Sequence, residues 1–503
     1  VRTSITSSVT GADIVTAPTP TPAAPGESPA AAHRSSSPRR SVACVLAPAA
    51  TALALGLWGI RRQGSLWSDE AVTYEVAHRS TPDIWRLLAE ADVVHGLHYF
   101  LMHAVFACWE GGLVALRLPS VLAVAATAAG VGVLGRRLAG PRAGLSAGFV
   151  VPFLPAMQRY AQEGRSYALV CALMTWGTWL LLDALDVGGR KRWAGYGAVM
   201  LAACLLHEFA VLGLMAHGVT VVLSRKSLHP WAVTATAVTA GVAPLAIFSA
   251  TQSGQVAWIG EPATSDLLTF AGTALLGVVC ARLCRTRSGA PAVMGVPALA
   301  LPLLLLPAGL LLALSPVRPL YVDRYVLFGS IGLALLVGTA LSRVPVRGTA
   351  AVVLLPASAI LLTGLPVSNH LRTPESRSDD VTAVAEAVRK MSTPGDGLLF
   401  APARRAWLLA TPDAYAHLDD LALASSPAAS GTLFGTEVMP PEIRARMLAF
   451  RRIVAVQDVI GEPGDSTGRG ATKLATLHAH FEVCTTRRVT RAQITVYARP
   501  GRC

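Results

Sequence analysis

The chain has 503 residues, 52% hydrophobic and only 15% charged, whereas a soluble domain carries about 25% charged residues. That balance excludes an ordinary soluble protein and describes a polytopic membrane protein. The net charge of +13 comes in short arginine clusters between apolar runs rather than on one continuous surface; this argues against nucleic acid as a partner and reads as topology signals facing an anionic leaflet.

Residues 1–41 are rich in Ser, Thr, Pro and Ala and poor in large apolar side chains, so they read as a disordered cytoplasmic tail. The apolar run from Val42 to Ile60 follows Arg34, Arg39 and Arg40. It lies too far along the chain for a signal peptide and reads as the first transmembrane helix, N-terminus inside. Next comes Leu66-Trp67-Ser68-Asp69-Glu70-Ala71. Two adjacent acids just beyond a span are held at the water boundary, where a carboxylate stays ionised while apolar surroundings limit water. Taken alone, the pair reads equally well as two solvated loop charges.

The first outer loop, 61–114, is too polar to span. Thr81-Pro82-Asp83 predicts a helix start with Thr81 as cap and Pro82 at the first helical position. A helix from His95 to Trp109 is about 22 Å long at 1.5 Å per residue, short of a hydrocarbon core of about 30 Å. Its His95, Tyr99 and His103 share one face with His98 and Met102 beside them, opposite Leu97, Phe100, Leu101, Ala104 and Val105. Such a helix is expected to lie in the membrane interface.

With that helix not crossing, spans fall at 42–60, 115–134, 143–157, 166–185, 193–206, 208–223, 231–249, 266–283, 291–314, 324–341 and 348–366. The basic loops at Arg136 to Arg142, Arg190 to Arg192, Arg225-Lys226, Arg282 to Arg287 and Arg343 to Arg347 then share one side, which the positive-inside rule makes cytoplasmic. The other side collects Asp69-Glu70, Gln162-Glu163-Gly164-Arg165, His207-Glu208 and Asp323-Arg324. The expected fold is a polytopic α-helical bundle of about eleven spans in the bacterial plasma membrane, 42–368. It is followed by a small extracytoplasmic α/β domain, 369–503, with a helix over Asp379 to Met391 and strands at Gly397 to Phe400, Ile453 to Val456 and Gln493 to Ala498. Among the eight cysteines there is no Cys-x-x-Cys or zinc spacing; only Cys484 and Cys503 are candidates for a disulfide, given an outer C-terminal domain.

Polar groups gathered on one face of a membrane bundle suggest a site, because an unpaired charge at depth is costly. Asp69 is the candidate general base for an acceptor hydroxyl, with Glu70 orienting it or tuning it by like-charge proximity. Arg165 and Arg324 are candidates to hold a phosphate or pyrophosphate, with Tyr167 and Tyr325 beside them to stack or hydrogen bond. His95, His98, Tyr99, Glu163 and His207 complete the candidate donor and substrate contacts. The bland alternatives are interfacial ion pairs, Arg165 with Glu163 and Arg324 with Asp323. The histidines with Asp69 supply no diagnostic metal spacing, so a divalent metal is not favoured and no cofactor is assigned.

In order along the chain stand Ser68-Asp69-Glu70-Ala71, Val94-His95-Gly96-Leu97-His98-Tyr99, Ala115-Leu116-Arg117-Leu118-Pro119-Ser120, Leu134-Gly135-Arg136-Arg137-Leu138 and Arg159-Tyr160-Ala161-Gln162-Glu163-Gly164-Arg165-Ser166-Tyr167-Ala168-Leu169. This series resembles the bacterial branch of the GT-C membrane glycosyltransferases, the protein-mannosyltransferase and aminoarabinose-transferase-like group. The similarity covers roughly Ala43 to Leu223 and extends weakly through Asp323-Arg324-Tyr325. It implies a polyprenyl-phosphate-linked sugar donor, mannose being one candidate sugar, and transfer on the extracytoplasmic face with inversion. The acceptor is a lipid, glycan or protein, and membrane lipids are partners. By the same resemblance Asp69 matches the first-loop catalytic acid, and the short helix matches the family's juxtamembrane helices. Two departures stand out: Gln162-Glu163 replaces an Asp-x-Asp in the second outer loop, which argues against a metal-dependent oligosaccharyltransferase-like mechanism, and Gly96-Leu97-His98-Tyr99 replaces Pro-Leu-Tyr-Tyr, which leaves the role of His98 open. The rivals are a transporter or flippase of lipid-linked glycans, which should show paired halves and spans broken at the midplane, and a scaffold that has lost catalysis.

Overall fold

The computed structural model describes residues 38–252, 258–284, 295–343, 364–401, 406–409, 414–458 and 468–503, with Ser4, Gly254 and Ala403. Most of the expected tail, and all but the last residues of the expected span 348–366, lie outside the described residues. A first apolar helix, α1 (Pro38–Leu57), leads into a loop region with α2 (Ser68–Ala77), α3 (Thr81–Glu90) and α4 (Gly96–Cys108). The bundle continues through α5 (Gly112–Ala139), α6 (Pro141–Phe153), α7 (Pro155–Ala161), α8 (Tyr167–Val187), α9 (Arg190–Leu206) and α10 (Val211–Ser224). It ends with α11 (Leu228–Thr251), α12 (Thr264–Leu283), α13 (Val296–Leu314) and α14 (Gly329–Ser342).

Among the described residues, 6 helices are long and apolar enough to cross a membrane, so the chain is a multi-pass membrane protein. Of the other five expected spans, one lies almost wholly outside the described residues and four correspond to shorter helices. Helices α6, α9, α10 and α14 have only 13, 17, 14 and 14 residues. Pro155 lacks an N–H and disfavours a helical Leu154, which is extended at φ −69° and ψ 124° and ends α6 early. The tight turns Glu208–Ala210 and Asp323–Val326 take the first residues of the expected sixth and tenth spans. These turns hold Glu208 and the pair Asp323-Arg324.

Close approach of small residues holds the bundle, as it must where lipid is as apolar as the side chains. An added Cβ at Gly338 of α14 would lie 2.2 Å from Ala147 Cα of α6, and one at Gly132 of α5 would lie 2.1 Å from the Cys44 carbonyl oxygen of α1.

The C-terminal region is an α/β unit of α15 (Val381–Met391), β1 (Gly397–Ala401), β2 (Asp419–Asp420), β3 (Leu423–Ser425), β4 (Thr436–Glu437), α16 (Pro440–Ala449), β5 (Arg452–Asp458), α17 (Gly468–His480), β6 (Glu482–Val489) and β7 (Ala492–Ala498). Its main sheet runs β2-β1-β5-β7-β6; β1 is parallel to β2 and β5, and β7 is antiparallel to β5 and β6. Alternation along β1 sorts the faces. Leu399 and Ala401 join Ile443 of α16 and Leu477 of α17, while Leu398 and Phe400 join Val384 and Val388 of α15. The core on the Leu398 face continues without a break into Leu66, Val72, Val76, Ile84, Tyr99 and Met102 of the α2–α4 region. Cys484 and Cys503 are joined in a disulfide.

Two local expectations need correction. The cap of α3 is Ser80, whose hydroxyl accepts from the Asp83 N–H, so Thr81 is already helical. Helix α15 starts at Val381, because the Asp380 carboxylate accepts from the Ala383 N–H and caps it there. Strand β6 was not expected: its residues are mostly exposed and lack an apolar alternation.

Gly338→Ala is expected to destabilise the bundle by roughly 1–3 kcal/mol, the cost of overpacking, seen as a lower thermal transition of the detergent-solubilised protein.

Candidate functional site

Glu70 is fully buried. Its Oε1 accepts from Arg117 Nε at 2.8 Å and from the Gly164 N–H at 3.0 Å, and its Oε2 accepts from Arg117 Nη2 at 2.7 Å and Arg62 Nη1 at 3.1 Å. Arg117, also fully buried, donates further to the carbonyls of Ile60 and Ser65 at 2.7 Å each. Burial by itself would raise the Glu70 pKa, but Arg117 and Arg62 outweigh it and bring it down to about 2. Both oxygens of Glu70 are thus committed to the scaffold, tying α2 to α5, to the segment after α1 and to the α7–α8 connection. Gly164 comes this close because it has no side chain: a Cβ there would lie 2.5 Å from Leu116 Cγ.

Asp69 is different. One residue along α2, its side chain keeps 28% exposure between two guanidinium groups, with Oδ2 4.0 Å from Arg165 Nε and 3.8 Å from Arg324 Nη2. Those separations are ion pairs, too long for hydrogen bonds. Arg165 Nη1 donates to Thr73 Oγ1 at 3.2 Å, while its buried Nε has no hydrogen-bond partner. Arg324 Nε donates to Tyr167 Oη at 3.1 Å, and its guanidinium lies over the rings of Trp258, Tyr325 and Tyr167 at 5.3, 5.6 and 5.8 Å. The ion pairs Arg165–Glu163 and Arg324–Asp323 raised by the sequence do not form among the described contacts. The basic groups face Asp69, although the Arg324 N–H does donate to Asp323 Oδ1 at 2.8 Å.

Aromatic and imidazole rings line the space beside them. Tyr167, His207 and Tyr325 are mutual neighbours, with ring centroids 5.6 Å apart for Tyr167–His207, 4.7 Å for His207–Tyr325 and 6.2 Å for Tyr167–Tyr325. Phe209 stacks on Tyr325 at 5.2 Å, and His95 lies 6.1 Å from His207. In α4 the polar face turns inward, burying His98, Tyr99 and Met102, while Leu97 is exposed. Asp92, in a left-handed turn, accepts from the Tyr99 hydroxyl and sits 2.7 Å from His95 Nδ1. His98 Nε2 faces the Gly164 carbonyl at 3.2 Å, so that nitrogen carries the proton. Burial then holds the His98 ring neutral, with its pKa pushed down to about 3, and burial with the nearby His95 and Arg165 keeps His207 well below its ordinary value. His95 Nε2, His98 Nδ1 and His207 Nδ1 are buried without partners.

Glu163 is buried, its pKa raised by burial against the pull of Arg377, whose Nε lies 3.5 Å from Oε2. Neither Glu163 oxygen has a hydrogen-bond partner. The structure thus brings Asp69, Arg165, Tyr167, His207, Arg324 and Tyr325 together, sets His95, His98 and Tyr99 along the adjoining helix, and gives Glu70 to the scaffold. Among the described residues no three His, Cys, Asp or Glu side chains converge as a metal site. Sequence reasoning passed over Arg62, Arg117, Arg377 and Asp379. Of these only Arg117 had a signal, a lone arginine inside an otherwise apolar span.

No protein-family model matches the chain, and no curated protein matches it. Among solved structures it is similar to ArnT from Cupriavidus metallidurans. The apo form aligns with TM-score 0.56 and 14% identity, covering 91% of this chain and 98% of that one. The form bound to undecaprenyl phosphate aligns with TM-score 0.53 and 13% identity, covering 90% and 97%. The chain has the GT-C glycosyltransferase fold. At 90–91% coverage of this chain the alignment takes in both the bundle and the C-terminal α/β unit.

Glu70→Ala is expected to leave Arg117 and Arg62 uncompensated and to cost about 3–5 kcal/mol, read as loss of folded protein on detergent extraction. Because His98 and His207 are held neutral, the unfolded chain takes up protons first as pH falls below the ordinary histidine value of about 6.5. Stability is therefore expected to decline from that pH downward, and His98→Gln, which keeps a donor for Gly164, should flatten the decline in thermal unfolding measured between pH 7 and pH 5.

Proposed function

We propose that the protein transfers a sugar from a polyprenyl-phosphate-linked donor to an acceptor hydroxyl at the extracytoplasmic end of the bundle, with inversion at the anomeric carbon. The observation that carries the reading is Asp69, a partly exposed carboxylate facing two arginines at 3.8 and 4.0 Å. The GT-C fold shared with an ArnT structure bound to undecaprenyl phosphate supports a lipid-phosphate donor. The Cys484–Cys503 disulfide and the one-sided basic loops support an outer location for the site.

In this reading Arg165 and Arg324 hold the donor phosphate and stabilise the charge that grows on its oxygen as the bond to the sugar breaks. Asp69 takes the proton from the acceptor hydroxyl as its oxygen bonds to the anomeric carbon. The products are the glycosylated acceptor and the polyprenyl phosphate. Tyr167, Tyr325 and His207 offer ring faces to the sugar or the lipid phosphate, and His95, His98 and Tyr99 line the adjoining wall. Glu70 acts as a positioning residue through Arg117 and Gly164. Mannose is the sugar to try first.

The test is sugar transfer in membranes from radiolabelled polyprenyl-phosphate mannose at matched expression. Asp69→Asn should lower turnover by about 10²–10⁴-fold, the usual worth of a general base. Arg165→Ala and Arg324→Ala should each weaken both donor binding and turnover. Undiminished transfer by Asp69→Asn would remove Asp69 from the chemistry.

A further inference from the structure

The candidate base is not fixed by its own side chain. Its carboxylate makes ion pairs at 3.8 and 4.0 Å, beyond hydrogen-bond length, so its place is set by the backbone at the start of α2. That start has no local cap, since Trp67 at the cap position offers no side-chain acceptor. The missing acceptor comes from the far end of the chain. Asp379 Oδ1 accepts from the Ser68 N–H and Asp379 Oδ2 from the Ser68 hydroxyl, each at 2.8 Å, across 311 residues of sequence. The Val381 N–H donates to the Leu66 carbonyl at 2.8 Å, closing the same junction from the other side.

The stretch before Asp379 is bound as firmly. Arg372 donates to the carbonyls of Leu55 at 2.7 Å and Trp58 at 3.0 Å, at the end of α1, and to Gln158 Oε1 at 3.1 Å on α7. Arg377 donates to the Arg159 carbonyl at 2.9 Å and pairs with Glu163. Asp380, next to Asp379, caps α15 through the Ala383 N–H. Two adjacent carboxylates thus cap two helices, one in the α/β unit and one bearing Asp69. A carboxylate at a helix N-terminus satisfies an orphan N–H and complements the helix dipole.

We infer that Asp379 is a positioning residue for Asp69 and that the C-terminal α/β unit is thereby a working part of the catalytic site. The inference rests on the proposed sugar transfer with Asp69 as base. Reaction rates fall about 10²-fold when a reacting group is misplaced by about 1 Å, so a freed first turn of α2 acts on turnover before it acts on donor affinity.

The experiment uses the full-length protein in nanodiscs, comparing wild type, Asp379→Ala and Asp379→Asn by steady-state transfer and by amide hydrogen exchange. Asp379→Ala should lower kcat about 10–100-fold with the donor KM within about twofold, and should speed exchange in the peptide starting at Ser68. Exchange in α5 and in α15, whose own cap Asp380 is untouched, should stay as in wild type. Asp379→Asn keeps one oxygen for the Ser68 N–H and should recover most of kcat. Wild-type kcat and wild-type exchange in Asp379→Ala would overturn the inference, and so would exchange that rises throughout the chain, the mark of a merely structural residue. Should wild type transfer no sugar, the proposed function fails on its own, and exchange confined or not confined to α2 still decides whether Asp379 holds that helix.

Discussion

A carboxylate with no exposure to water must be neutralised from within the protein, and around Glu70 that requirement organises one end of the bundle. Arg117 meets it with a fork of two hydrogen bonds, Arg62 with a third and the Gly164 amide with a fourth. Each partner belongs to a different part of the chain, so the cluster is a joint rather than a bond. A buried ion cluster is not by itself a source of great stability, since desolvating the charges offsets much of their attraction. What it provides is a single arrangement: any other placement of these elements would leave a charge unpaired at depth.

The division of labour between neighbouring acids follows from that joint. Successive residues on a helix point about 100° apart, so once Glu70 faces inward to Arg117, Asp69 must face sideways into the gap between Arg165 and Arg324. One acid is spent on architecture and the other is left accessible. The same logic extends outward. Thr73, one turn further along α2, receives Arg165, and Ser68, at the start of that helix, is held by Asp379. A site of weak, long-range ion pairs is thus suspended in a frame of short hydrogen bonds.

Much of this was legible in the sequence, in a particular way. Charged groups that interrupt apolar runs announce themselves, and Asp69, Arg165, His207 and Arg324 were legible because each ends or begins a hydrophobic segment. The pattern could not say that Glu70 and Asp69 have opposite fates, since adjacent acids look alike until their partners are known. Arg377 and Asp379 were illegible for another reason. They lie in a polar stretch where charges are commonplace, and their partners Glu163 and Ser68 are more than two hundred residues away. Helix lengths were misjudged because hydropathy sees composition but not the turn at Leu154-Pro155 or the tight turns before α10 and α14. In the α/β unit the buried strands β1, β5 and β7 were readable from their apolar runs, whereas β6, whose residues are mostly exposed, was not.

The apolar core shared by the outer loop and the α/β sheet has a consequence in time. During synthesis, Ser68 leaves the ribosome 311 residues ahead of Asp379, which at 5–20 residues per second is roughly 15–60 s. Through that interval Val72, Val76, Ile84 and Met102 have no sheet to cover them, and α2 has no cap. The loop that carries Asp69 is therefore made well before the sheet that gives it its final shape. A chain cut short before residue 379 would leave that loop with its apolar surface uncovered, a form open to recognition by quality-control proteases.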